Sequence, residues 1–325
     1  MPVITRRVAL TALILSLFCP ACLLAQTAPT KAVRMVVPFG PGGTGDTIAR
    51  LIVENLSDRI GRPRTVESRI GAGGNIAGNA VAKADPDGTT LLLAANHLAM
   101  APNLYKSLSY DPITSLTPVT LIGNTPLVVV VNNELKVQSL ADLIALAKAR
   151  PGQLSFASPG HGTVNHLAFE MLKQQAGIDV KHVPYRSNPL AMNDVISGQV
   201  PVFMDLVTTG APHVTAGSVR GLATASSQRS PLLPDVQTAA EAGMPNFEAG
   251  TWFAVFAPDG TPPDVVRHLH NEISAVLSLP AVRQRLESFG VEINVQGPDR
   301  LRALMKADTA KWGHVIKNAG ITQID

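Results

Sequence analysis

Short β-rich runs alternate with helix-period segments along nearly the whole chain, and this alternation constrains the fold more than any other feature. Val33–Phe39 is an apolar run, and the next segment carries Ile48, Leu51, Ile52, Leu56 and Ile60 at helical spacing up to Gly61. Thr65–Ser68 reads as a strand, Asn75–Ala84 as a helix, Asp85-Pro-Asp-Gly88 as a turn and Thr90–Ala95 as the next strand. Leu127–Val131 is purely aliphatic, as expected for a strand covered on both faces. Ser139 with Asp142 three residues on predicts a capping box, and Pro151-Gly152 ends that helix. Leu154–Ala157, Asp179–Val183, Val200–Met204, Arg220–Thr224 and Trp252–Ala257 follow as strands, with a helix over Thr163–Ala176 and three closing helices starting near Pro262, Pro280 and Pro298. Strands that alternate with helices build βαβ units and parallel sheet.

The amino-terminal segment stands outside this pattern. Arg6 and Arg7 precede a mostly apolar run, Val8–Phe18, and small residues follow with a cleavage point after Ala25. That is the layout of a secretory signal, and the run is short of the roughly 20 apolar residues that span a bilayer. A general and a twin-arginine route both fit. Cys22 lacks the aliphatic and small residues that usually precede an acylated cysteine. The chain's 2 cysteines, Cys19 and Cys22, both lie here, so the exported form carries no disulfide or thiol chemistry. The 27 basic residues face 24 acidic ones, and Arg6 and Arg7 leave with the signal. A near-neutral remainder gives no footing for nucleic acid. At 46% hydrophobic composition, roughly 300 residues can bury a core large enough for two lobes. The expected boundaries are Thr125-Pro126 and Gly250, giving residues 1–25 as signal, 26–125 plus 251–325 as one lobe and 126–250 as the other. Two crossings make a two-strand hinge with a cleft beside it.

Three Gly-rich loops each follow a strand and open a helix: Gly40-Pro-Gly-Gly-Thr-Gly-Asp46, Gly71-Ala-Gly-Gly-Asn75 and Ser158-Pro-Gly-His-Gly-Thr163. Glycine lets backbone amides approach a ligand, and a helix N-terminus adds about half a positive charge. Such loops bind carboxylate or phosphate without arginine. In open α/β sheets ligands sit outside the carboxyl ends of strands. Each loop taken alone is equally a tight turn. None ends in Gly-Lys-Ser/Thr or has dinucleotide spacing. Three together argue for one anion-binding cleft. The candidate contacts are Phe39, Pro41, Gly42, Gly43, Asp46, Asn75, Asn96, Ser158, Gly160, Gly162, Thr163 and Asp205. Asp46 serves equally as a helix cap. Asp205, after the Val200–Met204 run, either caps or accepts from a ligand amine or hydroxyl. Trp252 is either hinge packing or pocket wall.

Catalysis is poorly supported. Ser158, His161 and His166 lie close in sequence, but Ala157-Ser158-Pro159-Gly160 is no nucleophile elbow. Neither His161 with His166 nor His268 with His270 has a third ligand at zinc-like spacing, so no metal or other cofactor is expected. His268 and His270 are placed on a solvated helix face. An enzyme on the same two-lobe architecture is the competing reading.

These motifs together resemble the receptors of tripartite tricarboxylate transporters, the Bug family. The resemblance rests on Val36-Val37-Pro38-Phe39 with Gly42-Gly43 and Asp46, on Glu67 through Asn75, on Ala82-Lys83-Ala84 and Pro86-Asp87-Gly88, and on Tyr110-Asp111-Pro112. It continues through Gly160, Gly162-Thr163, His166-Leu167, Val183-Pro184-Tyr185, Gly198-Gln199-Val200, Pro234-Asp235-Val236 and Glu241-Ala242-Gly243. It implies an α/β, two-lobe type II periplasmic-binding-protein fold with a mixed, largely parallel sheet in each lobe and a two-strand hinge. It further implies a periplasmic, monomeric receptor for a di- or tricarboxylate, acidic amino acid or aromatic acid, partnered by membrane permease subunits or a sensor protein. In such receptors the first βα loop and the Ser158–Thr163 loop grip the carboxylate. The chain departs at Gly40, where proline is usual, at Gly45, where threonine is usual, at Arg186-Ser187 for Lys-Gly, and at Asn96-His97 for small hydroxyl residues. These departures bear on the ligand rather than the fold.

Overall fold

The computed structural model describes residues 32–60 and 64–325. The signal segment and the helix stop at Gly61 lie outside these residues. The order is β1 (Val33–Val37), α1 (Thr44–Ile60), β2 (Arg64–Ser68), α2 (Asn75–Ala82), β3 (Thr90–Ala95), α3 (His97–Leu104) and β4 (Leu116–Val131). Then come α4 (Leu140–Ala149), β5 (Ser155–Ser158), α5 (Val164–Ala176), β6 (Lys181–Pro184), α6 (Asn188–Ile196), β7 (Val202–Leu206), α7 (Val207–Thr215) and β8 (Arg220–Thr224). The chain closes with β9 (Gly250–Pro258), α8 (Pro263–Leu277), α9 (Pro280–Ser288), β10 (Glu292–Gln296) and α10 (Pro298–Asn318).

Local sequence explains most of these elements. The apolar stripe of α1 is buried at Ile48, Ile52 and Leu56, each burial contributing about 1.5–3 kcal/mol. All six residues of β3 are buried, as its unbroken apolar run requires. At α4 the Ser139 hydroxyl accepts from the Asp142 amide while the Asp142 carboxylate accepts from the Ser139 amide.

The strands run in the order β2-β1-β3-β9-β4-β7-β5-β6, with β10 and β8 also paired to β4. The parallel ladders are the outer ones, β1 with β2 and β3, and β5 with β6 and β7; the antiparallel ladders gather on β4 and β9. The sequence shows only the last part of β4. Its first part contains Pro118 and Pro126, which read as breakers; the ladder with β9 absorbs the first through a register shift between Pro118 and Thr120. Leu116–Pro126 pairs with β9, and Leu127–Val131 pairs with β7 and β8. Thus β4 belongs to both halves of the sheet, and Thr125 and Pro126 stand opposite Thr251 and Gly250.

One apolar cluster joins β1, β3 and β9 to α1 and α8, and another joins β5, β7 and the end of β4 to α4 and α5. The closing helices were expected to return to the first lobe. Helix α8 packs on α1 and β4, but α10 straddles both halves. Its Leu301 and Met305 join the β3–β9 side, and its Trp312, Val315 and Ile316 join the cluster around Phe156 and Phe169. No helix among the described residues is long and apolar enough to cross a membrane.

Candidate functional site

Strand directions alone define where a ligand would sit. Strands β1, β2, β3 and β4 point one way, and β5, β6 and β7 point the other, because β4 and β7 pair antiparallel. The carboxyl ends of the two outer sets therefore face each other. Ala95, ending β3, is level with Phe253 and so with Gly123 on β4; Leu206, ending β7, is level with Leu127. Four residue steps of β4 separate the two levels, about 13 Å of strand. Loops that leave β1 and β3 thus confront loops that leave β5 and β7 across this gap.

On the near side lies the first Gly-rich loop. Pro41, Gly42 and Gly43 are exposed, whereas Asp46 in the first turn of α1 is 2% exposed. One Asp46 oxygen accepts from the Gly42 amide at 3.0 Å and from Arg50 Nε at 2.9 Å. The Arg50 bond, with the Gly42 bond behind it, holds this carboxyl below its ordinary range. Asp46 is therefore ionised and organises the loop as a cap does, the more economical of its two expected roles. Thr44, Gly45 and Asp46 supply first-turn amides that an α-helix cannot pair internally. Phe39 is half-buried and meets His97 and Phe253 edge-on, at 6.2 and 6.0 Å between ring centres. A Cβ on Gly45 would lie 2.2 Å from the Phe39 ring. Glycine here, where threonine is usual, admits the aromatic ring.

The second Gly-rich loop serves packing. A Cβ on Gly74 would meet His97 Nε2 at 2.5 Å, and one on Gly73 would meet the Tyr105 hydroxyl at the same distance. Asn75 is buried with both polar ends engaged: its amide donates to Ala72 O at 2.9 Å, and its carbonyl accepts from the Tyr110 hydroxyl at 3.3 Å. Asn96 is also buried and donates to Gly250 O at 2.8 Å, tying the end of β3 to the start of β9.

Opposite these lie the third loop and Asp205. Ser158 Oγ donates to Gly160 O and accepts from Gly160 N, both at 3.1 Å, and bonds His182 Nε2 at 2.6 Å. Thr163 caps α5 and donates to Gly160 O at 2.8 Å; the Gly162 amide donates to His166 Nδ1 at 3.1 Å. Asp205 is 1% exposed and lies inside β7. Its oxygens accept from Asn188 Nδ2 at 2.6 Å, the Leu206 amide at 2.8 Å and Thr209 Oγ1 at 2.8 Å. Burial pushes this carboxyl up to about 7, against the Thr209 and Leu206 bonds that lower it.

Some partners were not legible. His182 reaches the third loop from β6 through the pairing of Phe156 with His182, and no local spacing announces it. His270 departs from the expected solvated face, since its Nδ1 is 2.9 Å from Thr120 Oγ1. Trp252 is buried, its Nε1 donates to Asp308 Oδ2 of α10 at 2.7 Å, and it also lines a cavity with Asp308 and Trp312, so it both packs and walls a pocket.

Comparison with known proteins finds similar chains over nearly the whole length of this one. The family profile described as "Tripartite tricarboxylate transporter family receptor" matches residues 48–321. The solved structure of R. palustris Rpa4515 with adipate is 36% identical, with a TM-score of 0.79 over 91% of this chain and 99% of that one. The periplasmic binding protein BugD is 34% identical, with a TM-score of 0.76 over 91% and 100%. MatC (Rpa3494) of Rhodopseudomonas palustris with bound malate is 32% identical, with a TM-score of 0.74 over 89% and 100%.

Proposed function

We propose, from the premise that this chain belongs to the tripartite tricarboxylate transporter receptor family, that it is a periplasmic receptor whose cleft captures a small dicarboxylate. The family and its structural neighbours are substrate-binding proteins rather than enzymes, and the fold is the two-lobe α/β fold of periplasmic binding proteins. Adipate and malate, the acids bound by two neighbours, share two carboxylates on a short chain. The lobes divide at Thr125-Pro126 and Gly250, where β4 and β9 run side by side. The signal is removed near Ala25, and the mature monomer hands its ligand to membrane permease subunits.

The facing carboxyl ends of the two strand sets carry this reading. One carboxylate lies on the first-turn amides of α1, beside Gly43, Phe39 and Pro41. The second is met from the far side by the rim of the Ser158–Thr163 loop. Asp46 and Asp205 shape their loops rather than touch the anion. Asp46 is ionised and would repel it, and the Asp205 oxygens already have protein donors.

The test is a thermal-shift screen of the mature protein against carboxylates, followed by calorimetry. A dicarboxylate that binds only the folded state stabilises it by about 2.7 kcal/mol at a hundredfold excess over its dissociation constant. A shift with dicarboxylates but not with their mono-amides is expected. A shift only with a sugar, a cation or a nucleotide would overturn the reading.

A further inference from the structure

The third Gly-rich loop gathers three imidazoles. His161 lies on the loop, His166 in the first turn of α5 and His182 on β6, and one ring nitrogen from each lies within 4.8 Å of the others. The rings of His166 and His182 stack at 3.9 Å, and His161 meets both edge-on at 5.5 and 4.9 Å. The cluster opens into a cavity of about 520 Å³ bounded by Leu104 and by the chain end from Ala319 to Ile324. Zinc–imidazole bonds of about 2.0–2.1 Å place tetrahedral donors roughly 3.4 Å apart.

We propose that His161, His166 and His182 bind one divalent transition-metal ion of the zinc class, with a coordination position open toward the cavity. Three imidazole nitrogens select such ions over calcium or magnesium, which require oxygen. Ser158 Oγ donates to Gly160 O and so accepts from His182 Nε2–H, which leaves the His182 Nδ1 lone pair open. This is the outer-shell hydrogen bond that orients a metal-ligating histidine. His166 has a cost: its Nδ1 accepts the Gly162 amide, and an ion there displaces that bond. The His166 ring then keeps Nε2–H toward Glu170, whose Oε1 is 4.0 Å away and also pairs with Lys173 at 2.9 Å. The stacked rings must tilt apart to share the ion. The site is independent of the carboxylate reading.

The experiment titrates chelator-treated mature protein with Co²⁺ and then Zn²⁺. Expected are one Co²⁺ per chain with the intense visible bands of a low-coordinate nitrogen site, loss of those bands on Zn²⁺ addition, and a shift of the Gly162 amide resonance. His161 is exposed, so His161→Ala leaves the fold intact by melting temperature and weakens Co²⁺ binding by about tenfold or more. His268→Ala, also at an exposed histidine, leaves it unchanged. A pale six-coordinate spectrum, unchanged affinity in His161→Ala, or an equal loss in His268→Ala would each overturn the proposal.

Discussion

Two carboxylates at facing ends of the sheet are both shielded from solvent contact, Asp46 near the surface and Asp205 deep inside, and they have opposite chemistry. Asp46 is 2% exposed and Asp205 is 1% exposed. Asp46 shares one oxygen with a guanidinium and an amide, and its carboxyl is held low. Asp205 meets only neutral donors, and its carboxyl is pushed up to about 7. Depth of burial and a cation within hydrogen-bond reach together set the two carboxyls apart. The wider regions differ likewise. The β1–α1 loop spends its Gly42 and Gly43 amides on Asp46 and Gly40 O but leaves the first-turn amides of α1 without an intrahelical partner, whereas the β5–α5 loop spends its Gly160 and Gly162 amides on Ser158 and His166 and the first-turn His166 amide on Thr163. The proposed carboxylate grip rests on that first-turn difference.

The largest effect should come from titrating the contrast itself. Asp205 has a folded value of about 7, above the ordinary value of about 3.9 that the unfolded chain shows. The fold thus favours the protonated form, and its contribution is complete below about pH 4 and is lost as pH rises through 7. The slope is about 1.4 kcal/mol per pH unit at most, up to about 4 kcal/mol across the window. Asp46 has the opposite sign: its contribution is present above the ordinary carboxylate value and is lost as pH falls through its lowered folded value. Urea melts from pH 4 to 8 on the native protein and Asp205→Asn separate the two groups. A native profile that parallels that of Asp205→Asn would remove the distinction.

Next in size is Gly45→Val. Its Cβ falls 2.2 Å from the Phe39 ring, and overpacking of this kind costs about 1–3 kcal/mol. Combining it with Phe39→Ala should return much of that loss, because contacting sites are not additive. Additive losses in the double variant would show that the ring and the glycine are uncoupled. Asp46→Ala should cost less, about 1 kcal/mol for the lost Gly42 bond. The Arg50 pair adds little, since that side chain is 51% exposed. Ligand affinity should fall alongside stability as the loop loses its tether; unchanged affinity would free Asp46 of any part in the site.

Much of this was legible because the signals are local. The three Gly-rich loops, the Ser139 capping box and the buried apolar runs at Thr90–Ala95 and Leu127–Val131 each follow from a few adjacent residues. What escaped depends on distant pairing. Pro118 and Pro126 disguise a 16-residue strand, and only register against β9 reveals that β4 is common to both halves. The alternating Glu292–Gln296 run is too short and polar to read as a strand, yet it pairs with β4. His182 meets Ser158 only after β5 and β6 lie side by side. The second Gly-rich loop reads like the other two, and only the crowding of His97 and Tyr105 against its glycines assigns it to packing.

A small change in stability should be the most informative about the ligand. Gly42 adopts φ 80°, and a Cβ there would meet nothing within 4 Å. Gly42→Ala therefore costs only the left-handed backbone penalty, about 1–2 kcal/mol, and leaves Phe39 and Asp46 untouched. Its methyl points into open space beside the first-turn amides. If that space receives the anion, calorimetry will show dicarboxylate binding falling far more than stability does. Gly43→Val should act in the same direction, since a Cβ at Gly43 is only in ordinary contact with Gly40 O at 3.6 Å. If both variants bind as the native protein does, the anion does not lie on the first loop. The grip would then have to come from the β5–α5 side, at the cost of breaking bonds that Ser158 and His166 now hold.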